Sequence, residues 1–220
     1  MHDFYRDLQD GEFVTALGFD IVVHRRAIGP LTLPTGKLVA CDPFDHPETE
    51  PFSLELAPGD YTARVIWAQL RDEVRVAYAV IELAPEPARR WTLATVPSEE
   101  DEDEGADSSF GYSIVSTYGG FMDAATATRI IEYRELAMYD EEDEIDRLLH
   151  AQLQRRRRKN RPSWANLSHE ILGEGNLLVF PAGYGQGTYR TYIGRTHGGQ
   201  VTRIVTDFEV LELTFPSFGL

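Results

Sequence analysis

The chain predicts an α+β, β-rich fold of mostly antiparallel sheets, arranged as a sandwich or open barrel, with a two-helix insertion near 123–160. Three observations carry this. Twelve prolines and eighteen glycines divide the chain into short segments, the punctuation of strands and turns. Most apolar stretches alternate with period two or form short continuous runs. Helical spacing dominates only after residue 123.

Taken in order, residues 3–9 suit a short helix, with Phe4 and Leu8 on one face. Strands are expected over 19–24 and 27–33, with Gly29-Pro30 and Pro34-Thr35-Gly36 as breakers. The strand expected at 37–41 is continuously apolar after Lys37, so it should be covered on both faces, and Asp42-Pro43 stops it. Residues 45–51 read as an exposed loop. In 52–56, Phe52, Leu54 and Leu56 alternate with Ser53 and Glu55 as in a half-buried strand. A hairpin is expected from 61–70 and 74–83, then a short strand at 90–94. Residues 99–107 hold seven acids in nine positions, a self-repelling run that predicts a flexible acidic loop over 96–111. Residues 112–116 suit a strand and Gly119-Gly120 a turn.

Asp123 occupies an N-cap position before a helix over 124–138. A second helix over 141–159 carries the stripe Ile145, Leu148, Leu149 and Leu153. Acids fill its first turn and bases its last, complementing the dipole, and Pro162 blocks its continuation. Strands return at 177–180, then 188–194 and 200–208 as a hairpin, with a last strand from Phe208. Together these form a C-terminal β-hairpin region over 176–213. The whole, 1–220, is expected to be a single domain.

The formal net charge of −15 disfavours nucleic acid and anionic lipid and favours a basic protein partner. A lone cysteine, Cys41, excludes an internal disulfide. The first residues lack the basic and apolar regions of a secretory leader, and no apolar run reaches membrane-spanning length. Cytoplasmic residence, without membrane contact, is the expectation.

Catalytic candidates are few. Asp42, Asp123 and Asp207, with His46, could supply a carboxylate–histidine cluster if they converge. Each aspartate but Asp207 has a local structural role to fill. The histidines show no metal-ligand spacing, so no metal is expected. The glycine-rich loop G-Y-G-Q-G-T-Y leads into a strand rather than a helix, unlike a phosphate-cradling loop, and no cofactor is expected. The basic run 155–161 has no interleaved aromatic unless Trp164 folds back on it. Pairing with the acids at 99–107, or solvation, accounts for it better than nucleic-acid contact.

The segments T-G-K-L-V-A-C-D-P-F, P-G-D-Y, V-R-V-A-Y-A-V-I, G-G-F-M-D-A, G-Q-G-T-Y-R-T-Y-I-G-R and I-V-T-D-F stand in the order seen in the DUF4241 family, which the chain resembles over most of its length. The resemblance implies a β-rich core in which the C-terminal hairpin joins the front sheet. It implies no activity. The family tail often reads G-D-G-x-Y, and Gln186 stands at that acid's place, so a site needing the acid would be missing here.

Three functions remain open at this point. One is a non-enzymatic acidic protein-binding module, for example one neutralising a basic toxin as an immunity protein does. Another is a hydrolase using Asp42, Asp123, Asp207 and His46. The third is self-association through exposed β edges.

Overall fold

The computed structural model describes residues 8–16, 19–71, 73–97, 111–136 and 143–211. The expected helix over 3–9, the acidic loop and the start of the second expected helix fall largely outside them.

Eight strands form a curled, half-barrel antiparallel sheet: β1 (Phe13–Ala16), β2 (Phe19–Leu33), β4 (Gly59–Leu70), β5 (Glu73–Glu82), β6 (Arg90–Leu93), β7 (Tyr112–Ile114), β11 (Gly187–Arg195) and β12 (Val201–Asp207). Their order is β1-β2-β4-β5-β12-β11-β6, with β7 also paired to β11. The C-terminal pair joins the front sheet through β12 against β5, as the resemblance implies. A second antiparallel sheet has the order β3-β8-β10-β9, from β3 (Leu38–Cys41), β8 (Tyr118–Asp123), β9 (Ala165–Leu167) and β10 (Leu177–Pro181). Helices α1 (Ala124–Leu136) and α2 (Glu144–Arg156) lie in the chain between β8 and β9.

The small sheet is the middle of three layers, and the period of two along its strands produces this. Leu38, Ala40, Phe121, Leu178 and Phe180 face the curled sheet. Val39, Cys41, Met122, Leu177 and Val179 face the helices, where Ile130, Ile145, Leu149 and Leu153 meet them. The apolar run Leu38–Cys41 is therefore covered on both sides, as its composition predicts, while Lys37 at its start is exposed. In the first core, Phe121, Phe180, Phe208 and Tyr189 form an edge-to-face chain with successive centroids 5.0, 6.1 and 5.0 Å apart.

Several expectations are corrected. Gly29-Pro30 does not break the second strand: β2 continues through a bulge between Ala27 and Gly29, where Gly29 takes φ +133°. Asn176 Nδ2 (2.9 Å) and Asn166 Nδ2 (3.3 Å) donate to the Pro30 carbonyl there, tying the bulge to the small sheet. Gly119-Gly120 is no turn but part of β8. A Cβ on Gly120 would come within 3.0 Å of the Leu178 carbonyl oxygen, so close strand approach explains these glycines. Residues 52–56 alternate in burial as predicted, yet only a single bridge, Lys37 to Glu55, pairs them. Of the strand expected from Phe208, residues 208–211 are not strand, and the remainder lies outside the described residues. The short β9 and the 3-10 turn Glu170–Leu172 carry no periodic signal long enough to read.

Candidate functional site

Asp42 directly follows β3 and is fully buried. One carboxylate oxygen accepts from Phe44 N–H (3.0 Å), Asp45 N–H (3.3 Å) and the Ser116 hydroxyl (2.6 Å). The other accepts from Val115 N–H (2.8 Å) and Ser116 N–H (2.7 Å). Burial by itself would raise its pKa, but the bonds from Ser116, Val115 and Phe44 outweigh it and hold the carboxyl below its ordinary range. The result is a fixed anion with its lone pairs engaged, joining β3 to the turn after β7. Gln186 Nε2 donates to the Val115 carbonyl at 2.9 Å and supports the same turn.

Asp123, also fully buried, closes β8 and opens α1. It accepts from Ala125 N–H (2.8 Å), Thr35 N–H (2.9 Å) and the Thr35 hydroxyl (2.9 Å). The N-cap role read from sequence thus extends to a second task, holding the turn that precedes β3.

These two carboxylates do not meet. Leu38 pairs with Asp123 and Cys41 with Gly120, so Asp42 and Asp123 stand at opposite ends of the β3–β8 pair. Four residues separate them along the strand, about 13 Å. Asp207 ends β12 in the other sheet, paired with Arg190 and Tyr78. His46 lies near Asp42 through its backbone, its N–H donating to the Asp42 carbonyl at 2.9 Å, but its ring Nδ1 is 3.2 Å from Glu48 Oε1. Cys41 is fully buried, and burial pushes its thiol well above the ordinary range, the opposite of an activated nucleophile.

Asp207 differs from the other two. Burial pushes it up to about 6, although Glu209 N–H donates to it at 2.8 Å. Its folded pKa lies above the reference value of 3.8, so the folded state binds this proton more tightly than the unfolded chain. Its contribution to stability is full below about pH 4 and is lost as pH rises through about 6. Asp207→Asn keeps an acceptor for Glu209 and carries no charge. It is expected to stabilise the protein by roughly 1–2 kcal/mol at pH 7 and by almost nothing at pH 4, read by urea unfolding at both values.

Among the described residues no group of three His, Cys, Asp or Glu is placed to hold a metal ion, and no helix is long and apolar enough to cross a membrane. Two surface features stand out instead. A groove of about 160 Å³ runs between residues 47–51 and α1, floored by Val39, Ala127 and Ile131, with Glu48 and Glu50 on its loop side. Glu132 and Glu135 follow Thr128 and Ile131 on the same face of α1. The second is a pocket of about 200 Å³ walled by Arg26, Arg155, Arg156, Arg158 and Arg161 around Trp164. Trp164 does fold back on the basic run: the guanidinium carbons of Arg26 and Arg156 lie 5.0 and 5.4 Å from its ring centroid. Arg26 comes from β2, far away in sequence, and no local pattern joins it to that run. Pairing of the basic run with 99–107 involves residues outside those described.

No curated protein and no solved structure matches the chain. A family model described as "Protein of unknown function (DUF4241)" matches residues 31–206, a span that takes in β3 and Asp42, β8 with Asp123 and the β11–β12 pair up to Thr206, one residue short of Asp207. The chain belongs to the DUF4241 family.

Proposed function

We propose that this protein is a non-enzymatic binding module whose acidic surface engages a basic protein, with neutralisation of a toxin as one such role. The observation that carries the reading is the groove beside α1. Its apolar floor suits the methylene stem of a lysine or arginine, and its carboxylates suit the charged head. Among the described residues Glu50, Glu132 and Glu135 are exposed and have no cationic partner. A formal charge of −15 adds long-range attraction for such a partner. The engagement of Asp42 and Asp123 in internal hydrogen bonds favours binding over hydrolysis.

The test is retention of basic proteins on the immobilised chain at low ionic strength, released by added salt. Glu50→Lys with Glu132→Lys is expected to abolish retention. Glu73→Lys with Glu86→Lys, an equal charge change elsewhere, is expected to preserve it. The reading fails if the native chain retains no basic protein, or if both pairs of changes act alike.

A further inference from the structure

The arginine pocket is the electrostatic exception of this molecule. The chain carries 36 acids against 21 lysines and arginines, yet five arginines surround one space of about 200 Å³. Among the described residues none of the five has a carboxylate within ion-pair distance. Arg26, Arg155 and Arg158 are exposed, so solvent screens their mutual repulsion, but five guanidiniums around one space still raise the local positive potential and favour an anion there.

The pocket is also built. It draws on β2, the C-terminal turn of α2 and the segment leading into β9, three parts of the chain brought together by the layering. Arg156 is fixed by Nη1 bonds to Gln152 Oε1 (2.9 Å) and the Trp164 carbonyl (3.1 Å). Gln152 Oε1 in turn accepts from Asn166 N–H at 3.1 Å, which anchors the wall to β9. Arg158 Nη1 donates to the carbonyls of Arg157 (2.8 Å) and Arg155 (3.2 Å), covering open carbonyls at the helix end. Arg26 is oriented by the Trp164 ring. The side chains of Arg155 and Arg161 make no hydrogen bond or ion pair among the described residues.

We propose that this pocket binds a small phosphate-bearing anion of about pyrophosphate size. Guanidinium forks match phosphate oxygens in bidentate geometry, and five of them suit more than one phosphate. The volume falls short of the ~300 Å³ typical of sites that bury a whole drug-sized ligand. It therefore takes the phosphates rather than an entire nucleotide. A long polyanion is disfavoured, because it would extend from the pocket over a surface of net charge −15. This site shares no residue with the acidic groove, so the two proposals stand or fall separately.

Calorimetric titration of the full chain with pyrophosphate, and separately with a nucleoside triphosphate, tests this. Both ligands are expected to bind, more weakly as salt rises, and the tighter of the two identifies the source of the phosphates. Arg155→Ala with Arg161→Ala breaks no observed bond and should fold normally. It is expected to weaken binding by at least about tenfold. Arg89→Ala with Arg90→Ala, which touches no pocket residue, is expected to leave it unchanged. The proposal is overturned if neither ligand binds at about 1 mM, if the two double variants behave alike, or if a single-stranded oligonucleotide binds more tightly than pyrophosphate.

Discussion

Asp42→Asn is expected to destabilise the protein by about 3–5 kcal/mol, although the side chain changes by one atom. Asparagine offers a single acceptor oxygen. Its amide would set N–H groups against the N–H donors of Val115 and Ser116, or against those of Phe44 and Asp45, depending on its orientation. Either way two buried donors lose their acceptor. Ser116→Ala removes only the hydroxyl bond of 2.6 Å and is expected to cost about 1–2 kcal/mol. Urea unfolding of the three proteins reads the difference. A cost for Asp42→Asn no larger than that for Ser116→Ala would refute the anchoring role. The lowered pKa carries the same sign: the carboxylate stabilises the fold at neutral pH, and that contribution disappears on acidification.

Gly36→Ala is expected to cost at least about 3 kcal/mol. Gly36 holds φ +76°, a conformation that strains any side chain. The added Cβ would stand 2.0 Å from the Leu56 carbonyl oxygen and 2.9 Å from its carbon, so backbone must move. That movement would stretch the 2.9 Å bond from Leu56 N–H to the Gly36 carbonyl. It would also disturb Thr35, which supplies two of the donors to Asp123. Gly198→Ala is the control. Its nearest neighbour would be Thr196 Oγ1 at 3.7 Å, and the change is expected to fall within about 0.5 kcal/mol. Similar melting temperatures for the two variants would show that the turn is looser than its geometry implies.

Local chemistry made much of this fold legible. The apolar run ending at Cys41 announced a strand buried on both faces, and β4 with β5 followed from two strand-like segments, the second mostly apolar, around a polar turn. The second helix was recognisable by its stripe and end charges, but its cap is Asp143 and its body is Glu144–Arg156, shorter at both ends than the charge pattern suggests. Misreadings came where tertiary contact decided. A bulge let β2 run through Gly29-Pro30, and neighbouring strands pressed close to Gly119 and Gly120. At the candidate sites the limit was distance along the chain. Asp42 could be singled out from sequence, but its donors Val115 and Ser116 lie more than seventy positions later. The run 155–161 was visible, while the contribution of Arg26 depends on how β2 meets the helical layer.

The middle sheet has a further consequence. Phe121 and Met122 are adjacent in β8, yet they serve opposite cores, as do Leu178 and Val179 in β10. A backbone shift that relieves crowding on one side must disturb packing on the other. The helices and the curled sheet are therefore mechanically coupled through strands only four to six residues long. A hydrophobic swap tolerated in a one-core sandwich would here require compensation in both cores. The two are expected to melt as one cooperative unit, so the helical excursion is no detachable ornament.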